Sequence, residues 1–547
     1  MPLTLPMDNT KPTNKRKWWH GATVYHIYPR SFYDANGDGI GDLKGVIRKL
    51  DYLNGTPDSL GVNAIWISPF YPSPMADFGY DVSDYYDIDP LFGTLHDFEV
   101  LVTEAHKRDI RVIIDFVPNH TSIKHPWFSE SSESVDSPKR DWYIWRDPQA
   151  DGTPPNNWQS VFGGPAWEID EKTGQYYLHT FLKEQPDLNW DNPEVREEMK
   201  RVIRFWLDLG VDGLRVDAVS WLSKDAKFRD DPLNPNYREG VDDPYHTLVH
   251  SFSSIGPHLF DYLNEIIDTA AEFDDRFVIT EAYPDSAGDI NHYLHFYGKI
   301  RLDICAPFNF ECLSLPWDAS TYRGFIDIYQ QALLPGQPAV YNMGNHDKTR
   351  LATRIGPNAA RTAAMMLMTL PGMPFIYYGD ELGMQDVHVE KDKVKDPFAA
   401  PDGTGRDVVR TPMQWSAARH SGFSQNEPWL PIGKQYRQFN VVTETEDPQS
   451  LLSLYKKLLR IRNNVQTIKY GSYWSLNLGD NLFGFVREND MERYLVILNF
   501  SDQEAVAVSK AIRGIIRLST YLDKAQYSRV YGGVKLRPHE GVIIEAV

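Results

Sequence analysis

Three acidic residues stand where acid–base or nucleophilic chemistry could be done: Asp217 in GLRVDAV, Glu281 at the end of RFVITEA, and Asp347 in GNHD. Each lies at or just beyond the C-terminal end of a short apolar run of strand character. Residues two apart on a strand point to the same side, so Arg215 and Asp217 face one way together. A neighbouring guanidinium favours the ionised carboxylate that a nucleophile needs. An isolated Arg-x-Asp is more simply a structural ion pair, and it is the convergence of three carboxylates from three strand ends that argues for chemistry. Two of them suffice for retaining glycoside hydrolysis, in which one attacks the sugar carbon while the other, kept protonated by nearby negative charge, protonates the leaving oxygen.

Eight strand-like runs would carry these groups: Val24 to Tyr28, Ala64 to Ser68, Arg111 to Val117, Gly213 to Val219, Arg276 to Ala282, a weaker Arg301 to Phe308, Ala339 to Met343 and Pro374 to Gly379. Amphipathic helices fall between several of them. In Pro193 to Leu209, Val195, Met199, Val202 and Trp206 share a face, Asn192 and Pro193 supply the start, and Gly210 supplies the stop. Eight such repeats predict an α/β fold, a (β/α)8 TIM barrel, whose chemistry sits at the C-terminal ends of its strands. Two connections are too long to be simple. The boundaries read as barrel over 1–119, an inserted lobe over 120–189 after the third strand, and barrel again over 190–469. That second part carries a polar insertion at about 223–255. From about 470 to 547 alternating runs such as NLFGFVRE and RYLVILNF, joined at Asn489 and Asp490, predict a C-terminal antiparallel β domain.

With 42% hydrophobic and 24% charged residues over 547 positions, the chain can bury a large core, which excludes collagen, coiled coil and wholesale disorder. Asp and Glu outnumber Lys and Arg by 75 to 56, spread along the chain, which argues against nucleic acid or an anionic membrane as partner. The 13% of aromatic residues suits flat or ring-shaped ligands as well as core filling. The two cysteines, Cys305 and Cys312, give no disulfide framework and fit a reducing compartment. The N-terminal MPLTLPMDNTKPTNKRKWWH is basic but lacks the apolar run of a signal peptide. The longest apolar stretch, Thr362 to Tyr378, is broken by Pro371, Gly372 and Pro374 and reads as helix, turn and buried strand rather than a membrane span. A cytoplasmic location is expected. Monomer and dimer are equally compatible with the sequence.

The third strand contributes Asp115-Phe116-Val117-Pro118-Asn119-His120. With GLRVDAV, the strand ending in Glu281 and GNHD, this resembles the four signature segments of the α-amylase family of glycoside hydrolases (family 13), in order and in strand context, from about Trp18 onward. The resemblance implies Asp217 as nucleophile, Glu281 as general acid and base, and Asp347 as the carboxylate that holds sugar hydroxyls. It also places His120 and His346 on the bound glucose, with Arg215 beside the nucleophile. No metal-ligand spacing supports a metal site for the two histidines. Gln185-Pro186-Asp187-Leu188-Asn189 resembles a segment of the oligo-1,6-glucosidase and α-glucosidase branch, as do Asp77 and Tyr80 in DFGYD and Arg410 in GRDVVRTPMQW. In that branch Asp77 and Arg410 are expected to pair and block the pocket, forcing exo-action from the non-reducing end. Phe162 and Phe181 match aromatics lining the same subsite, where rings can stabilise oxocarbenium charge, although each alone fits ordinary packing nearly as well. Ala218 after the nucleophile, and GNHD rather than ENHD, resemble the α-1,4 enzymes. The expected substrates are maltose and short malto-oligosaccharides, with sucrose and transglucosylation left open. The alternative is an oligo-1,6-glucosidase or a sucrose-active transglucosidase. The arginine-rich loop of sucrose isomerases is missing from FNFECLSLPWDAS. The barrel also resembles the ancillary heavy chains of amino acid transporters, but those lose catalytic carboxylates and carry a membrane helix.

Asp34-Ala35-Asn36-Gly37-Asp38-Gly39-Ile40-Gly41-Asp42 has acid or amide side chains at positions one, three, five and nine and a backbone carbonyl at seven, as in the first part of an EF-hand loop. Position twelve is Gly45, so the bidentate glutamate is missing. By resemblance Asp34, Asn36, Asp38, Ile40 and Asp42 hold one structural Ca2+ or Mg2+ away from the active site; otherwise the loop is an acidic turn without metal. No organic cofactor is expected.

Overall fold

The computed structural model describes residues 16–283, 289–299, 301, 303–398, 405–523 and 528–547. The N-terminal basic stretch up to Lys15 lies outside the described residues. Eight parallel strands follow in chain order: β1 (Val24–Ile27), β2 (Ala64–Ile67), β3 (Arg111–Phe116), β4 (Gly213–Val216), β5 (Phe277–Thr280), β6 (Cys305–Pro307), β7 (Val340–Asn342) and β8 (Met373–Tyr377). They pair in the order β7-β8-β1-β2-β3-β4-β5-β6, and a parallel bridge between Asn309 and Tyr341 joins the two edges into a barrel.

The strands are apolar on both faces because both faces are covered. Val24, Ala64, Trp66, Ile113, Phe277, Ile279, Ala306, Phe308, Val340, Met373 and Phe375 fill the interior. Their neighbours Ile65, Ile67, Val112, Ile114 and Val278 face the helices. Helix Pro193–Asp208 starts on the Asn192 side chain, which accepts the Glu194 N–H, and buries Val195, Met199, Val202 and Trp206. The apolar stretch before β8 is helix Pro357–Thr369, and no helix among the described residues is long and apolar enough to cross a membrane. Cys305 and Cys312 are buried free thiols.

Between β3 and β4 a small antiparallel sheet is built from Trp145–Arg146, Gln175–Leu178 and Trp167–Asp170, with the middle segment in the centre. The polar insertion after β4 leans on this lobe. Asn156 Nδ2 donates to the Phe228 carbonyl at 3.1 Å, Asn157 Nδ2 to the Asp231 carbonyl at 2.8 Å, and Trp158 Nε1 to the Arg229 carbonyl at 2.9 Å. The two long connections therefore form one wall beside the ends of β3 and β4.

Helix Leu451–Asn464 leads to six antiparallel strands, β9 (Ser472–Asn477), β10 (Leu482–Glu488), β11 (Arg493–Asn499), β12 (Ala505–Ser519), β13 (Arg529–Leu536) and β14 (Gly541–Ala546), paired β9-β10-β11-β14-β12-β13. Two fully buried arginines fasten this sheet to the barrel. Arg462 donates to the carbonyls of Met368, Leu370 and Gly372, and Arg487 to those of Thr369, Ile468 and Gly471. Among the described residues neither meets a carboxylate within ion-pair distance; their partners include the carbonyls left open at the end of helix Pro357–Thr369, where cations are favoured.

Candidate active site

β4 ends at Val216, and the next two residues turn into the barrel mouth. Ala218 takes the left-handed region, with φ of 48°, an unfavourable conformation for alanine and more so for a β-branched residue. That turn aims the Ala218 N–H at Glu281 Oε2, 2.9 Å away. Arg215 is the hub of the site. It lies 2.6 Å from Asp115 Oδ1 and 2.5 Å from Glu281 Oε1, and its Nη1 also pairs with Asp217. Asp115 in turn accepts the Trp66 indole N–H at 2.9 Å, so the guanidinium is rooted in the barrel floor.

Three buried carboxyls thus face one guanidinium. Burial drives Asp217 well above the usual carboxylate range against the pull of Arg215, and Glu281 and Asp115 push the same way as burial. Asp115 is pushed up to about 6, mainly by burial, with Arg215 again opposing. Burial and the crowding of carboxyls thus outweigh the ionising pull that Arg215 alone would exert on Asp217.

Asp347 follows β7 and has the opposite electrostatics. Burial pushes it up, but the imidazole of His346 and the guanidiniums of Arg410, Arg406 and Arg215 outweigh burial and hold it well below the usual range. Its Oδ1 lies 2.8 Å from Arg410 Nη2 and 3.5 Å from Arg406 Nη1, and its Oδ2 lies 3.2 Å from His346 Nε2. His346 is itself pushed down to about 3, chiefly by burial and against the pull of Asp347. Tyr80 stacks parallel to it at 5.6 Å, with its hydroxyl 2.8 Å from His346 Nε2. His120, brought down to about 4 by burial, sits 3.1 Å from Gln185 Nε2, which also donates to Asp77 Oδ2 at 3.2 Å.

One expected pairing is corrected. Asp77 does not pair with Arg410. Arg406 takes it, at 2.6 Å from Asp77 Oδ1, and holds the fully buried Asp396 at 2.8 Å with the same nitrogen. Arg410 instead grips Asp347 and the His346 carbonyl, the latter at 2.8 Å. Both arginines come from GRDVVRTPMQW, and the 3-10 turn Asp407–Val409 between them sends them to different carboxylates. Phe181 lies 5.1 Å from His120 and 5.7 Å from Phe162, while Phe162 meets Phe398 at 4.9 Å with Arg406 5.2 Å over its ring. The structure therefore gathers Asp217, Glu281, Asp347, Asp77, Tyr80, His120, Phe162, Phe181, Arg215, Ala218, His346 and Arg410 around one mouth. Sequence reasoning gave no role to Asp115, Gln185 or Arg406, although all three lie in segments it singled out.

The Asp34–Asp42 loop stands apart from this site. Asp34 Oδ2 accepts the Gly39 N–H at 2.8 Å and the Ser424 hydroxyl at 2.6 Å, and Asn36 Oδ1 accepts the Asp38 N–H at 2.9 Å. Asp38 Oδ1 accepts the Ile40 N–H at 2.8 Å, and Asp42 caps helix Leu43–Arg48 through the Gly45 N–H at 2.6 Å. The donors are all hard oxygens, the kind Ca2+ and Mg2+ prefer. Their side chains here serve the loop's own N–H groups, and among the described residues no three acidic, His or Cys side chains gather so as to hold an ion.

Comparison with known proteins agrees with this geometry. The family model for the alpha-amylase catalytic domain matches residues 26–471. An oligo-1,6-glucosidase of Heyndrickxia coagulans is 39% identical over 530 residues, spanning 89% of this chain and 92% of that protein. A probable alpha-glucosidase of Rhizobium meliloti (strain 1021) is 39% identical over 509 residues, spanning 90% of each. The solved structure of an alpha-glucosyl transfer enzyme matches with a TM-score of 0.90 at 37% identity, covering 97% of this chain and 100% of that one.

Proposed function

Since the chain belongs to the α-amylase family of glycoside hydrolases, we propose that it is a retaining, exo-acting α-glucosidase that releases glucose from the non-reducing end of maltose and short malto-oligosaccharides. The observation that carries exo-action is the Asp77–Arg406–Asp396 bridge, with Arg406 also reaching Asp347. Such a bridge closes the pocket behind one glucose, whose hydroxyls Asp347, His120 and His346 would hold. Asp217 and Glu281 sit on the two amino groups of one guanidinium. That closeness suits the retaining spacing of about 5–5.5 Å rather than the wider inverting one.

In the first step Asp217 bonds to the anomeric carbon as the bond to the leaving oxygen breaks, and Glu281 gives that oxygen its proton. In the second, water attacks the anomeric carbon, gives a proton to Glu281, and the ester to Asp217 breaks. Ala218 and Gly344 support the α-1,4 preference. At Gly344 a Cβ would come 2.9 Å from the Asp380 carboxylate, so a larger residue there requires that side chain to shift. A panel of maltose, isomaltose, sucrose, trehalose and maltotriose, with products resolved by chromatography, tests the reading. Glucose release is expected at least about tenfold faster from maltose than from isomaltose, a difference of roughly 1.4 kcal/mol in transition-state binding. The reverse order would make the chain an α-1,6 enzyme, the activity named for the Heyndrickxia relative. Trisaccharides formed from a disaccharide substrate would mark transfer.

We also assign one structural Ca2+ or Mg2+ to Asp34, Asn36, Asp38, the Ile40 carbonyl and Asp42. Ion binding there would turn the loop's oxygens from N–H groups toward the cation. Dialysis against chelator is expected to lower Tm by several degrees and added Ca2+ to restore it, because a ligand bound only to the native state stabilises it. An unchanged Tm would remove the metal from the account. The two free, buried thiols suit a cytoplasmic setting.

A further inference from the structure

Glu281 is held from three directions. Arg215 and the Ala218 N–H are two of them, and the third is the Tyr283 hydroxyl, which donates to Glu281 Oε1 at 3.3 Å. Tyr283 is two residues beyond Glu281, on the same side of the chain as it leaves β5. Its ring stacks on Phe310 with centroids 4.8 Å apart and planes at 28°, and Phe310 stacks on Phe308 at 5.5 Å and 15°. Phe308 belongs to the barrel interior. The phenol is therefore aimed by a column of rings rooted in the core. Burial, with Glu281 and Asp347 adding to it, pushes the phenol far above its ordinary range, so it remains a donor.

We propose that Tyr283 is a positioning residue for the acid and base, its hydroxyl fixing Glu281 and taking up the negative charge that Glu281 gains when it gives its proton away. This rests on Glu281 being the acid and base. As the bond from the anomeric carbon to the leaving oxygen breaks and the bond to Asp217 forms, the Glu281 proton passes to that oxygen. Glu281 becomes a carboxylate, to which the Tyr283 O–H donates. When water later attacks, its proton returns to Glu281 and the ester to Asp217 breaks. Tyr283 keeps its own proton throughout. The 3.3 Å separation is long for an O–H donor, and catalytic hydrogen bonds commonly tighten only in the substrate complex.

The test is Tyr283→Phe, which keeps the ring and its stacking and removes one hydroxyl. A departing sugar needs a proton, whereas a departing 4-nitrophenolate does not. The expected result is that kcat/KM on maltose falls about tenfold more than kcat/KM on 4-nitrophenyl α-glucoside, as loss of one hydrogen bond to a charged group implies. Tm should match the parent. Tyr283→Ala, which also removes the ring, should lower both substrates. Equal falls on both substrates for Tyr283→Phe, or no fall on either, overturn the proposal. Glu281→Gln separates the two layers: retained full maltose hydrolysis there would remove the assignment of Glu281 itself. Its loss, combined with an unselective Tyr283→Phe, would remove only the role of Tyr283.

Discussion

Replacing Asp217 by Asn is expected to abolish the proposed maltose hydrolysis, with kcat falling by roughly 10⁴-fold or more, as for removal of other nucleophiles. An amide cannot form the ester to the anomeric carbon. The structure also explains why the fold should tolerate the change. Arg215 keeps Asp115 at 2.6 Å and Glu281 at 2.5 Å, so its charge is not orphaned. Taking one carboxyl from three that crowd one guanidinium relieves the repulsion that burial magnifies. Tm should therefore stay level or rise slightly, checked by circular dichroism beside a glucose-release assay. Full activity in this variant would end the proposed mechanism.

Arg406→Ala is expected to lose both stability and activity. The guanidinium is mostly buried and answers the buried Asp77 and Asp396 while reaching Asp347. Removing one partner from a buried charge pair leaves the other uncompensated, at a cost of about 3–5 kcal/mol. The denaturation midpoint should drop accordingly, and kcat/KM on maltose should fall by about 10²-fold as the glucose-binding end of the pocket loses its order. Arg406→Lys should recover little, since one ammonium cannot reproduce the planar fork. Arg410→Ala strips Asp347 and the His346 carbonyl instead and leaves the Asp77 pair standing. A silent Arg406→Ala would mean that the Asp77 bridge does not close the pocket.

The difference between these two arginines shows where sequence stops being legible. Eight strands could be read because each is apolar on two faces; the sixth was weak because only Cys305–Pro307 pair, one of them a proline without an N–H. Asp217, Glu281 and Asp347 were legible because strand ends fix where they point. Arg406 and Arg410 were not separable, since they lie four residues apart in one motif and only the turn between them decides which carboxylate each reaches. The lobe's strands of two to four residues are too short to leave a periodicity to read, even in the local hairpin of Trp167–Asp170 and Gln175–Leu178. In the Asp34–Asp42 loop the spacing of oxygens was visible, but whether they converge depends on which N–H groups they serve. Tyr283 escaped notice because a tyrosine two residues past a glutamate carries no signal until Phe310 is seen to aim it.

The buried arginines at the end of helix Pro357–Thr369 carry a consequence for the order in which the molecule is completed during synthesis. The carbonyl of Thr369, at the end of the helix that feeds β8, is answered by Arg487, 118 residues further along the chain. Arg462 can already answer the Met368, Leu370 and Gly372 carbonyls, but the Thr369 carbonyl lacks its arginine until Arg487 has left the ribosome. The helix that leads into β8, between the segments that carry Asp347 and those that carry Arg406 and Arg410, thus packs against a sheet translated after it. The C-terminal sheet acts as the keystone of the barrel, and a nascent chain stopped short of β10 would hold every catalytic residue without a finished frame to keep them in place.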